Sequence, residues 1–208
     1  MKLIDAMKHK DNPFWIPDCT RDDLPEFFKA LGFTAGAEIG VWKGEFTKKF
    51  CEVGLKMYAI DPWLVYRDFD SGSFSSRSQA RQDSLYEAAK RRLAPYPACG
   101  VIRKASVDAI SDIPNRSLDF VYIDGNHRFG YIAMDLMKWT DKVRKGGVIA
   151  GHDYFSRSGD TQIRGVGPIV DAFAKSYDFT NWYVLGSKTP GPNEKTDDAL
   201  SFVFFKHW

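Results

Sequence analysis

Residues 118–127 read Leu-Asp-Phe-Val-Tyr-Ile-Asp-Gly-Asn-His. The apolar run stops at Asp124, which predicts a buried strand that carries this acid at its carboxyl end. Residues 146–154, Gly-Gly-Val-Ile-Ala-Gly-His-Asp-Tyr, repeat the arrangement and predict a second such strand followed by Asp153. Ligands bind open α/β sheets outside the carboxyl ends of parallel strands, so the two acids are expected to share one opening.

Short apolar runs and longer amphipathic segments alternate along the rest of the chain. This alternation is typical of βαβ units and predicts an α/β sandwich with a mostly parallel sheet. The predicted parallel strands are residues 37–41, 57–60, 101–103, 118–123 and 148–150. The predicted helices between them are residues 45–52, 76–93, 106–112 and 129–143. The last helix is expected to stop at Gly146-Gly147.

The two ends of the chain are expected to complete this sandwich as parts of one domain over residues 1–208. A capping sequence at residues 20–23 predicts a helix over 24–31, within an N-terminal helical segment over 1–34. A later helix is predicted over 162–177, with its regular part starting near Pro168. The predicted closing β-hairpin has strands at residues 182–185 and 200–205.

Residues 63–83 are interpreted as a substrate flap, because Ser and Gly dominate part of the segment beside aromatic and basic side chains. A plain surface loop is the alternative. The side chains expected to read the acceptor are Tyr66, Arg67, Phe69, Phe74, Arg77 and Arg81.

Composition excludes several classes of protein. The 208 residues include 29 basic and 27 acidic side chains, a net charge of +2 that gives no reason to expect nucleic acid or an anionic membrane as partner. No apolar run approaches the ~18 residues that span a bilayer. The three cysteines form no CxxC pair, so we expect a reducing, cytoplasmic location. The oligomeric state stays open, a homo-oligomer included.

Residues 38–45 read Glu-Ile-Gly-Val-Trp-Lys-Gly-Glu, where the first predicted parallel strand is followed by a helix. Glycines at such a turn let the backbone approach a ligand closely. A dinucleotide fingerprint would need glycines in place of Trp42 and Glu45, and a P-loop would need Lys-Ser or Lys-Thr after Gly44. NAD and nucleoside triphosphates are therefore disfavoured.

The pattern Glu38-x-Gly40-x-x-x-Gly44 resembles the first motif of class I S-adenosylmethionine (SAM)-dependent methyltransferases. The resemblance implies a Rossmann-like three-layer sandwich whose seven-stranded, mostly parallel sheet has an antiparallel C-terminal strand. It also implies that the motif lines the methionine half of SAM, through Glu38, Gly40, Val41, Trp42 and Gly44. Trp42 stands where many members have a middle glycine, and a simple helix-entry turn is the alternative.

Asp61 follows the next predicted strand, 61 − 40 = 21 residues after the first glycine of the motif. An acid at this spacing can accept hydrogen bonds from both ribose hydroxyls, whereas the alternative is a turn-starting Asp before Pro62. The resemblance implies that Trp63 covers the ribose or adenine and that Ser106 lies near adenine. Ser106 is also a candidate helix N-cap.

The motifs IDGNH and GGVIAGHDY resemble those of the subgroup that includes macrocin O-methyltransferase and methyltransferase-24-like proteins. The resemblance implies that Asp124 and Asp153 bind a divalent metal, with Asp124 also beside the cofactor. His152 replaces a second acid found in some relatives and is the third metal candidate, although its nitrogen suits Mg²⁺ less well than a carboxylate. Alternatively, the acids cap helices or orient the loop.

His127 is our first candidate for a general base that takes the proton from an acceptor hydroxyl, and His152 is the second. With Asp124 they form the expected catalytic group. The resemblance implies SAM-dependent O-methylation of a small hydroxylated molecule or sugar, assisted by Mg²⁺ or another divalent metal. One alternative is another reaction on this scaffold, since the resemblance extends to cephalosporin hydroxylase-like proteins. Another is a non-catalytic protein that binds a nucleoside or a partner.

Overall fold

The computed structural model describes residues 3–6, 8–9, 12–65, 78–157 and 165–208. Its described strands form one eight-stranded sheet in the order β1-β7-β8-β6-β5-β2-β3-β4. The strands are β1 (Phe14–Ile16), β2 (Ala35–Ile39), β3 (Lys56–Ile60), β4 (Cys99–Ile102), β5 (Leu118–Ile123), β6 (Val143–Ser156), β7 (Trp182–Leu185) and β8 (Ala199–Phe205). Strand β8 is antiparallel to both of its neighbours, whereas the other pairs are parallel.

Helices cover both faces of the sheet. They are α1 (Leu3–Ala6), α2 (Leu24–Ala30), α3 (Glu45–Glu52), α4 (Gln79–Leu93), α5 (Ser106–Ala109), α6 (Phe129–Thr140) and α7 (Val166–Ser176). Buried side chains of α2, α3 and α4 pack on one face, and those of α5, α6 and α7 pack on the other. The predicted α/β sandwich with a parallel core and an antiparallel C-terminal strand is confirmed. None of the described helices is long and apolar enough to cross a membrane.

The sheet has one strand more than predicted. Strand β1 lies in the segment expected to be helical and pairs with β7, with Trp15 opposite Val184. Its sequence, Phe-Trp-Ile, is aromatic and β-branched, which favours an extended edge strand over a helix.

The prediction that a helix runs to residue 143 and stops at Gly146-Gly147 was wrong. Helix α6 ends at Thr140, and both glycines lie within β6. A Cβ on Gly147 would come within 2.4 Å of the Asp119 carbonyl oxygen, so this glycine permits two neighbouring strands to approach.

Most of the predicted flap falls outside the described residues, namely 66–77 with Tyr66, Arg67, Phe69, Phe74 and Arg77. Its last part, residues 79–83 with Arg81, belongs to helix α4. The remainder of the predicted helix over 76–93 agrees with α4.

Closely packed aromatic rings fix the face of the sheet that receives α2 and α3. Phe120 of β5 is fully buried, and its ring centroid lies 4.6 Å from that of Phe28 and 4.9 Å from that of Phe50. Aromatic pairs at these distances stabilise a core beyond the area that they bury. The position of strand β5, which carries Asp124 at its end, therefore depends on this packing.

We expect Phe120→Ala to lower the free energy of unfolding by about 3–5 kcal/mol, because the cavity left by the ring is lined by Phe28 and Phe50. Chemical denaturation followed by circular dichroism measures the change. Met137→Ala is the control, since Met137 is exposed on helix α6 and its truncation should cost less than about 0.5 kcal/mol. Equal losses in the two variants would contradict this account of the core.

Candidate active site

The first turn, residues 40–44, connects β2 to α3 and lies against the end of β5. Gly40 has a φ of +90°, and a Cβ at this residue would come within 2.0 Å of the Asp124 carbonyl oxygen. The Asp124 N–H donates to the Ile39 carbonyl oxygen over 2.7 Å. Only glycine permits this approach, so the backbone of the first turn packs directly against the backbone of Asp124.

Asp61 fixes the middle of the first turn from the end of β3. Its carboxylate accepts the backbone N–H of Trp42 at 2.9 Å and that of Trp63 at 2.7 Å. Trp42 has a φ of +51°, which is rare outside glycine, and the indole N–H of Trp63 donates to the Trp42 carbonyl oxygen. These hydrogen bonds stabilise the left-handed backbone conformation of Trp42. The Trp42 side chain is exposed.

Trp63 itself is only 1% exposed, and its ring centroid lies 5.0 Å from that of Tyr86. The Trp63 ring is therefore packed inside the protein, where its N–H supports the first turn. In this structure the buried ring offers no face to a ribose or adenine. Exposed Trp42 is the aromatic side chain of the turn that a ligand can reach.

Glu38 ties strand β2 to helix α3. Only 2% of the residue is exposed, and its carboxylate accepts the hydroxyl of Thr47. Burial raises the pKa of Glu38 to about 8, so the protein interior disfavours the charged form of this carboxyl. In this conformation Glu38 supports the first turn and provides no surface for a cationic ligand, which departs from the expected contact with SAM.

Ser106 is the first residue of α5, and its predicted role as N-cap was wrong because Ala105 occupies that position. The Ser106 hydroxyl donates to Asp135 and accepts the indole N–H of Trp139. Both partners belong to α6, so the hydroxyl joins the two helices. The contact with adenine stays a prediction.

The Asp–His cluster comprises Asp124, His127, His152 and Asp153, and the structure brings all four side chains together. A bulge in β6 makes this arrangement possible. Gly151 pairs with Phe202 and Phe155 with Leu200, so β6 advances four residues while β8 advances two. Consecutive residues of a regular strand point to opposite faces, but Asp153 has a φ of +62° here and joins His152 on the same side.

Asp153 lies between the two histidines. His127 Nε2 is 2.8 Å from its Oδ2, and His152 Nδ1 is 3.1 Å from its Oδ1. Burial opposes ionisation of Asp153, but the hydrogen bonds from both rings outweigh it and lower the pKa of this carboxyl. Burial likewise favours neutral rings, yet the surrounding carboxylates raise the pKa of His127 and bring that of His152 to about 10.

Two residues that the sequence analysis missed, Arg21 and Asp197, lie against the Asp–His cluster. Arg21 Nη1 lies 3.0 Å from Asp124 Oδ2, and its Nε is 3.7 Å from Asp197 Oδ2. Asp197 Oδ2 is also 3.7 Å from His152 Nε2. No sequence signal pairs residues 103 positions apart, and Arg21 stood out only as part of a helix-capping sequence.

A cavity of about 270 Å³ adjoins Arg21 and Asp197. Most of the lining residues are polar or charged. They come from the segment before α2, the amino-terminal part of helix α3 and the loop before β8. The lining residues are Thr20, Arg21, Asp22, Glu45, Phe46, Lys49, Thr196 and Asp197. The volume is near the lower limit for small-molecule pockets, so the cavity suits a compact polar ligand.

The residues of the cluster fit a divalent cation. One ligand atom from each of Asp124, His152 and Asp153 lies within 4.8 Å of the others. The buried Nε2 of His152 makes no hydrogen bond and faces Asp197, the kind of partner that orients a metal-bound imidazole. An imidazole nitrogen in such a group suits a transition metal better than it suits Mg²⁺.

Comparison with solved structures identifies the fold. An O-methyltransferase from Bacillus cereus in complex with SAH matches with a TM-score of 0.61 and 14% identity, covering 89% of this chain and 80% of that one. The O-methyltransferase TomG from Streptomyces achromogenes, involved in tomaymycin synthesis and in complex with SAM, matches with a TM-score of 0.59 and 15% identity, covering 89% and 79%. An rRNA methylase from Streptococcus thermophilus matches with a TM-score of 0.60 and 12% identity, covering 89% and 96%.

These likenesses show the fold and leave the acceptor open, because the similar structures differ in what they methylate. No curated protein matches the sequence significantly. The model of the methyltransferase-24 family, described as a methyltransferase domain, matches residues 37–154. That range contains the first turn, Asp61 and the whole Asp–His cluster, and we conclude that the chain belongs to this methyltransferase family.

Proposed function

We propose that the protein is a SAM-dependent methyltransferase that methylates a hydroxyl of a small molecule or sugar. The contact between Gly40 and the Asp124 backbone carries this proposal, because it joins a ligand-binding turn to a cluster of acids and histidines. Membership of the family and the SAM or SAH in two similar structures support the cofactor.

The first turn and Asp61 would bind the cofactor. Gly40, Val41, Trp42 and Gly44 lie at the carboxyl end of β2, next to the end of β3. Asp61 already accepts backbone N–H groups of the first turn and of Trp63, and its carboxylate would also accept a ribose hydroxyl. Asp124 continues this surface toward the reacting centre.

His127 is the better-placed general base of the two histidines. Its Nε2 is bonded to Asp153, which leaves Nδ1 to accept a proton from the acceptor hydroxyl. His152 lies deeper, and carboxylates face both of its ring nitrogens. When bound, SAM supplies a methyl group activated by its sulfonium. The protein then has to orient the acceptor oxygen and remove its proton.

Asp124, Asp153 and His152 would hold the divalent metal. A cation there would polarise the acceptor oxygen and ease removal of its proton. The polar cavity beside Arg21 and Asp197 is the candidate space for the acceptor.

Gly40→Ala tests cofactor binding by the first turn. The added Cβ would displace the Asp124 backbone, so we expect the affinity for SAH to fall about tenfold or more, as measured by calorimetry. Gly32→Ala is the matched control: Gly32 has a φ of +76° but no atom within 4 Å of the added Cβ, so SAH binding should be retained. Equal affinities in the two variants would show that the turn does not bind SAH. Folded wild-type protein that binds no SAH would refute the proposed function.

His127→Ala tests the general base. Loss of a general base costs about 10²–10⁴-fold in rate, so we expect kcat to fall in that range while SAH binding is retained. The assay uses a hydroxylated compound found to gain one methyl group in an untargeted screen. His9→Ala, which removes an exposed ring stacked on Phe14, should leave kcat unchanged. An unchanged kcat in His127→Ala would contradict its role as the general base.

Removal of divalent cations tests the metal. We expect a chelator to abolish methylation by the wild-type protein and added Mn²⁺ to restore it, because Asp124, His152 and Asp153 form the ligand group. Binding of SAH in the presence of chelator is the control. Full activity in the chelator would reject the metal and leave methyl transfer intact.

A further inference from the structure

Arg21 places a fixed positive charge on the carboxylate that a metal would use. Its Nη1 donates to Asp124 Oδ2 over 3.0 Å, and both side chains are partly buried. The other Asp124 oxygen, Oδ1, lies 3.8 Å from His152 Nδ1. Asp124 therefore already has a cationic partner in the described structure.

A divalent cation bound by Asp124, His152 and Asp153 would lie close to this guanidinium. Like charges a few ångströms apart in a partly buried site repel each other strongly, and screening by salt is weak there. Arg21 cannot lose its proton to relieve the repulsion, because a guanidinium stays charged at any physiological pH. Metal binding therefore requires Arg21 to withdraw from Asp124 or to remain at a cost in affinity.

A second carboxylate, that of Asp197, already lies near Arg21 in the same conformation. The Arg21 Nε lies 3.7 Å from Asp197 Oδ2, its guanidinium carbon is 5.1 Å from the centre of the Phe46 ring, and both neighbours line the polar cavity. The backbone of this segment is fixed by the Thr20 and Asp23 capping box, so the side chain rather than the chain would move. Movement toward Asp197 would keep the charge paired.

We propose that Arg21 is an internal cation that competes with a divalent metal for Asp124 and thereby sets the metal affinity of the cluster. The inference rests on the metal site of the proposed function. It assigns Arg21 a positioning role, since the side chain acts through Asp124. It also couples the cluster to the cavity, because a metal that displaces Arg21 changes the cavity wall.

The experiment measures binding of Mn²⁺ alone by calorimetry, without substrate or cofactor. In Arg21→Gln we expect the dissociation constant to fall about tenfold. Arg21→Lys, which retains the charge, should stay near the wild-type value. Arg144→Gln is the matched control, because Arg144 pairs with Asp119 over 2.7 Å near the amino-terminal ends of β5 and β6, and it should leave the affinity unchanged. Asp124→Asn should weaken binding at least about tenfold.

An unchanged or weaker affinity in Arg21→Gln overturns the inference, as does an equal gain in Arg144→Gln. Unaltered binding by Asp124→Asn, or no Mn²⁺ binding by any variant, overturns it as well. Thermal melts of each variant verify that the fold is retained. SAH titration of the same proteins separates the two proposals: SAH binding without Mn²⁺ binding leaves the methyltransferase and removes the Arg21 competition. If the Mn²⁺ affinities of the variants change as expected but the proteins bind no SAH, the Arg21 competition stands and the proposed methyltransferase function is refuted.

Discussion

The approach of Gly40 to the Asp124 backbone is the constraint on which the rest of the site depends. The ends of β2 and β5 come so close that a single methyl group on Gly40 would overlap the Asp124 carbonyl oxygen. On the β3 side of this contact, Asp61 and Trp63 hold the first turn through hydrogen bonds. On the β6 side, His152 and Asp153 belong to the Asp–His cluster. One backbone contact therefore sets the distance between the proposed cofactor and the proposed base.

Charge balance determines the chemistry of the cluster. Three carboxylates, Asp124, Asp153 and Asp197, are surrounded by Arg21 and two histidines whose pKa values are raised. Asp153 serves both proposed roles at once, since it orients His127 and belongs to the metal-binding group. The same carboxylate would therefore take part in both proton removal and cation binding.

The sequence predicted the parts of this site that follow from strand order. Asp124 and Asp153 terminate apolar runs, and parallel neighbouring strands bring such ends together. It failed where tertiary packing decides the position. Trp63 and Ser106 carry polar groups that the folded core uses, and β1 is too short for a periodic signal. Arg21 and Asp197 lie on opposite ends of the chain and meet only through the fold.

The β6 bulge makes a strand without site residues essential to the site. His152 and Asp153 point the same way because β8 pairs with β6 on both sides of the irregular residues. Transplanting the Asp–His cluster onto another sheet of this architecture would therefore fail if only the side chains were copied. The donor segment would have to include β8, because its backbone pairing with β6 holds the bulge that orients His152 and Asp153.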